Sequence, residues 1–143
     1  ELVVDPSAVR LGRLNSGAAP VLDTHSDFAL ENIKGVVVGG SARIENGLGH
    51  ASLKIDGGAE NESVIRKIRD GIIRNVSVGY RVHRYEVIRN DGAVPVYRAI
   101  DWEPYEISLV PIGADAGAGI RSAPHTFPCE VINPQPSKEL RLM

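Results

Sequence analysis

Asn46-Gly47 stands between two runs that suit extended backbone, residues 33–44 and 48–55. An Asn-Gly pair readily takes the left-handed conformations of a two-residue hairpin turn, which makes it the strongest local fold signal in the chain. It commits this part of the sequence to an antiparallel pair. Val36, Val37 and Val38 make the first run β-prone, and Gly39-Gly40 inside it predicts a bulge or bend. The second run alternates apolar and polar residues, the period of a strand with one buried face.

The same period returns downstream. Val76, Val78, Tyr80 and Val82 alternate with Ser77, Gly79, Arg81 and His83. Asn90-Asp91-Gly92 predicts a turn, after which residues 94–100 run back. Tyr105, Ile107 and Leu109 mark a further strand with Glu106 and Ser108 on its other face, and Pro111 ends it. Two helices are expected. Asp5-Pro6 offers a helix start, with Ala8, Val9, Leu11 and Leu14 as its stripe and Asn15-Ser16-Gly17 as its stop. Residues 60–74 carry Val64, Ile65, Ile68 and Ile72 at helical spacing, and Gly71 weakens the last turn. Residues 20–25 read as short and extended. Hairpin-linked strands with these helices imply an α+β class: a mainly antiparallel, β-barrel-like sheet with flanking helices.

With 143 residues, one domain suffices. It is placed at 1–122, and 123–143, with four prolines and little periodicity, reads as a tail or linker. The chain opens on Glu1 inside an apolar stretch, so it reads as a fragment or processed form lacking upstream structure. Aromatics are only 5%, so the core must be aliphatic. A net charge of −2 without a basic stripe argues against nucleic acid as partner. No apolar run approaches the ~20 residues of a membrane span.

Four histidines are present: His25, His50, His83 and His125. None pairs at the spacing of a helical zinc motif, and a single cysteine, Cys129, rules out the usual zinc knuckles. No phosphate-binding glycine pattern follows a strand. Neither metal nor cofactor is therefore expected, and nucleophilic catalysis remains. A serine hydroxyl needs a base within hydrogen-bond reach, and the base needs a group to orient it. Ser77, His25 and Glu106 are the available members. Each also has a plainer reading: Ser77 as a solvent-face strand serine, Glu106 as a charge protecting a sheet edge, and Asp23 as a turn or cap residue. His83 is no substitute base, because six residues along one strand place it ~20 Å from Ser77.

Three segments together resemble the prohead (procapsid maturation) serine proteases of tailed phages, themselves similar in fold and site order to the herpesvirus assemblins. They are Pro20-Val21-Leu22-Asp23-Thr24-His25, the run from Ile72 through Ser77-Val78-Gly79-Tyr80 to Val82, and Trp102-Glu103-Pro104-Tyr105-Glu106-Ile107-Ser108-Leu109-Val110-Pro111. The resemblance spans residues 14–121. It implies an assemblin-like fold, Ser77 as nucleophile, His25 as general base then acid, Glu106 as orienting carboxylate, and a supporting position for Asp23. In the assemblins a second histidine takes the third place, where this chain has glutamate. Backbone amides of residues 113–119 are candidate oxyanion donors. The implied substrate is phage scaffold or the delta region of the major capsid protein, cut inside the immature procapsid in the host cytoplasm, with self-cleavage and an assemblin-like homodimer both compatible. In some phages the protease is fused to a capsid protein. Two other readings stand beside it: a catalytically silent capsid-assembly or scaffold module of the same fold, and a small ligand-binding barrel, which would need a large apolar pocket.

Overall fold

The computed structural model describes residues 1–89, 91–115, 117–120 and, as backbone only, 127–132. Its elements are β1 (Pro20–Asp23), β2 (Ile33–Val37), β3 (Arg43–Glu45), β4 (Leu48–Ile55), the helix α1 (Glu62–Arg69), β5 (Asn75–Ile88), β6 (Val96–Val110), β7 (Gly119–Ile120) and β8 (Phe127–Ile132). The strands form one sheet in the order β2-β1-β6-β5-β7-β8-β4-β3. Because β2 also pairs with β4, the sheet curls round on itself, with β3 appended to β4. Most pairings are antiparallel, but β1 runs parallel to β6.

Local sequence explains much of this. Asn46 and Gly47 both take positive φ and close the β3–β4 hairpin. Gly39-Gly40 lies where β2 ends and the chain bends into β3. On β6, Ile107 and Leu109 face an aliphatic core with Val21, Val37, Leu53 and Val76. A second cluster gathers Val4, Val9 and Ala99 round Trp102, whose indole N–H donates to the Val3 carbonyl at 2.8 Å.

The expected first helix is not formed. Asp5 caps a single turn, its carboxylate accepting the Ser7 amide at 2.8 Å. The next residues are drawn onto β6 instead: the Arg10 amide donates to the Trp102 carbonyl (2.8 Å) and the Trp102 amide to Ala8 (2.9 Å). Strand-type bonds to a neighbour replace helical ones because Val9 gains burial against Trp102. Residues 14–16 make a 3-10 turn. The second helix is shorter than 60–74. Gly71, with φ of 71°, ends it in a Schellman cap in which the Ile72 amide bonds to the Lys67 carbonyl and the Gly71 amide to Ile68. Among the described residues the flanking helices thus reduce to one α-helix, and the fold is mainly β.

The segments expected as strands at 94–100 and 105–109 are one strand, β6, continuous through Pro104. Proline lacks the ladder N–H, and a register shift between Gly79 and Tyr80 accommodates it. Within the stretch read as a tail, Phe127–Ile132 pairs with β4 and β7 as β8. The remainder of 123–143, with His125, lies outside the described residues.

Candidate active site

β6 organises the site, with β1 on one side and β5 on the other. The registers align Leu22 with Ser108, and Ser108 with Ser77. Paired residues point to the same face of a sheet, so Ser77, Ser108 and Glu106 share one face while Val76, Ile107 and Leu109 fill the core on the other. The polar face is therefore the outer one. Glu106 is nevertheless only 3% exposed and Ser108 fully buried.

The turn after β1 supplies the cover. The Thr24 amide still bonds to the Leu109 carbonyl at 2.9 Å, continuing the parallel pairing. The chain then reverses at once, with the Ser26 amide on the Asp23 carbonyl at 2.9 Å. Both central residues take positive φ, 47° at Thr24 and 59° at His25. Neither is a glycine or asparagine, and a β-branched threonine is rarely found there. Such conformations cost on the order of 1–3 kcal/mol each and persist only where surrounding contacts fix them.

Those contacts converge on His25. Its backbone amide donates to Ser108 Oγ at 3.0 Å, and Ser108 Oγ donates to Glu106 Oε2 at 2.7 Å. Its ring Nδ1 is bonded to Glu106 Oε1. Both carboxylate oxygens of Glu106 are thereby engaged, as a buried carboxylate requires. With Nδ1–H donating to Glu106, the imidazole presents Nε2 as its free acceptor. The His25 side chain is 43% exposed, and no described side chain is hydrogen-bonded to Nε2.

Gly79 allows this arrangement. It pairs with Glu106 across β5 and β6, and a Cβ built on it would lie 2.1 Å from Glu106 Oε1 and 2.7 Å from Cδ. The carboxylate lies across the strand where any side chain would stand.

The structure thus brings His25 and Glu106 into contact and sets Ser77 on the neighbouring strand, opposite Ser108. Among the described residues, no hydrogen bond joins Ser77 Oγ to the His25 ring. Asp23 serves the turn, its Oδ1 accepting the Thr24 hydroxyl at 3.1 Å, and is exposed. His83 lies further along β5. Of the candidate oxyanion donors, the Gly117 and Ala118 amides are already taken by Asp115, at 2.8 and 3.1 Å. Sequence reasoning missed Ser108 and Gly79 as parts of the site. The available signal was their spacing: Ser108 follows Glu106 by two residues on one strand face, and Gly79 follows Ser77 by two on the next.

Among the described residues no group of three or more His, Cys, Asp or Glu is placed to hold a metal ion. No described helix is long and apolar enough to cross a membrane. An apolar cavity of about 30 Å³ lies on the inner side, lined by Leu14, Ala51, Val78, Trp102 and Ile107 among others. It has room for a water or two, far short of a ligand pocket, and touches none of Ser77, His25 and Glu106.

The chain is similar to the major capsid protein of Halomonas phage phiHAP-1, with 32% identity over 113 residues. That match covers 79% of this chain but spans only 18% of the length of the curated relative. No protein-family model matches the chain, and no solved structure matches it.

Proposed function

We propose that the chain is a capsid-assembly module of a tailed phage that carries a serine endopeptidase site. Ser77 is the nucleophile, His25 the general base and then acid, and Glu106 the carboxylate that orients it. The observation behind this reading is the pairing of His25 Nδ1 with a buried Glu106 whose other oxygen is held by Ser108, on the strand next to Ser77. That arrangement fixes the imidazole tautomer and leaves Nε2 free, as a base for a serine hydroxyl must be. In this reading the Ser77–His25 bond forms by side-chain rotation once substrate is bound, since catalytic hydrogen bonds often tighten only in the complex.

In this reading, His25 Nε2 takes the Ser77 proton as Oγ attacks the scissile carbonyl. The imidazolium formed is stabilised by Glu106 and returns the proton to the leaving amine. Water then repeats the sequence to release the acyl group. The substrate is capsid protein or scaffold, and the place of action is the immature capsid. Similarity to a fraction of a major capsid protein is compatible with a protease joined to its substrate.

The test is coexpression with the cognate capsid or scaffold protein, comparing wild type with Ser77→Ala and His25→Ala by intact mass. Each variant should stay folded and lose at least about a thousandfold in cleavage rate. Cleavage at the wild-type rate by either variant would sink the assignment.

The second reading is a catalytically silent capsid module. It is favoured by the similarity to a major capsid protein and, among the described residues, by the lack of a Ser77–His25 hydrogen bond. A fluorophosphonate probe separates the two. Labelling of Ser77 that His25→Ala abolishes favours the protease, and an unlabelled Ser77 in folded protein favours the silent module.

A further inference from the structure

Beside the turn that carries His25, a groove opens between β2, α1 and the segment leading into β5. Among the described residues, its walls carry Lys34, Lys67 and Arg74 against one carboxylate, Asp23. Lys67 and Arg74 belong to none of the ion pairs among the described residues, whereas neighbouring Arg66 is paired with Asp70. Lys34 Nζ donates to the Glu31 carbonyl at 3.0 Å, and it too belongs to no ion pair among the described residues. Three cations against one anion form a positive groove in a chain whose formal net charge is −2. Local potentials of this kind select partners by charge.

The groove is continuous with the site. Thr24, which adjoins His25, and Asn75, which lies two residues before Ser77 on the same face of β5, both line it. At ~3.3 Å per residue, Asn75 lies about 7 Å from Ser77 along the strand. An extended polypeptide that passed Ser77 and His25 along β5 would bring a side chain two or three residues away over the groove. Ile72, 65% exposed on the rim, offers an apolar surface for the stem of a long side chain.

We propose that this groove is a specificity subsite that seats an acidic side chain, Asp or Glu, of an extended polypeptide lying across the Ser77–His25 face. Lys67 and Arg74 supply the selecting charge and Lys34 assists. The assignment of the bound chain as substrate rests on the protease reading, whereas the acidic preference rests on the groove alone.

The test titrates full-length protein carrying Ser77→Ala with two blocked octapeptides that differ only in Glu or Gln at two adjacent central positions, followed by NMR shifts. The Glu peptide should bind about tenfold more tightly, the preference shrinking as salt is raised. Shifts should centre on Thr24, Ile72 and Asn75. Lys67→Glu with Arg74→Glu, both at exposed positions, should abolish the preference, and Lys67→Arg should retain it. Equal affinity for the two peptides, or an unchanged preference after charge reversal in folded protein, overturns the proposal. Fluorophosphonate labelling of wild-type Ser77 reads the protease assignment separately. Labelling without acidic selectivity removes the groove proposal alone, and selectivity without labelling keeps the acidic seat while removing the protease.

Discussion

Replacing Gly79 with alanine would place a methyl carbon 2.1 Å from Glu106 Oε1, 2.7 Å from its Cδ and 2.8 Å from its Cγ. A flexible surface glutamate would swing aside at little cost. Glu106 is not free to do so, because it is 3% exposed and holds His25 and Ser108 at once. Moving it breaks a hydrogen bond to a charged group, worth about 1.5–3 kcal/mol, and one between hydroxyl and carboxylate of about 1 kcal/mol or more. The entropic advantage of alanine over glycine in a strand, about 0.5–1 kcal/mol, offsets part of this. The expected net destabilisation is about 2–3 kcal/mol, a fall in Tm of roughly 7–10 °C for a domain of this size. Urea unfolding of wild type, Gly79→Ala, Glu106→Asp and the double variant measures it. Shortening the acid by one methylene relieves the clash, so the two changes should couple by at least about 1 kcal/mol in the favourable direction. A neutral Gly79→Ala, or additivity within about 0.5 kcal/mol, would show that the carboxylate does not lie over Gly79.

Ser108→Ala strands the His25 amide and one oxygen of Glu106, so a loss of about 1–3 kcal/mol is expected in chemical denaturation; a change within about 0.5 kcal/mol would mean that Ser108 does not hold the turn. At the far end of β6, Arg10 donates to both oxygens of Asp101 at 2.7 Å, and this hydrogen bonding holds the Asp101 carboxyl below its ordinary range. A depressed folded-state value stabilises the fold above the unfolded-state value near about 4, and this stability is lost as pH falls through the lower folded value. Urea unfolding from neutral to acid pH should show wild type exceeding Asp101→Asn near neutrality, with the gap closing toward acid. A gap that does not change with pH would contradict that assignment.

Local patterns carried the strands. The alternation at residues 76–83 became β5, and the Asn-Gly turn became the β3–β4 hairpin, because side-chain period and turn conformation are properties of neighbouring residues. The residues predicted for the first helix failed on the same ground: their helical signal is local, and the competing bonds are to Trp102, roughly 90 residues away along the sequence.

The sequence by itself determined the residue types of the site and the faces on which Ser77 and Glu106 stand, because a two-residue period needs no partner to be read. It could not determine that His25 and Glu106, 81 residues apart, are in contact. That follows from the parallel pairing of β1 with β6 and from a turn held at positive φ in Thr24 and His25 by bonds to Ser108 and Leu109. Register between distant strands is set by what the closed sheet can bury, a property of the whole packing rather than of any segment. Only the tertiary structure, therefore, decided that a carboxylate would lie over Gly79, which leaves it room, and that Ser108 and His25 would hold it there.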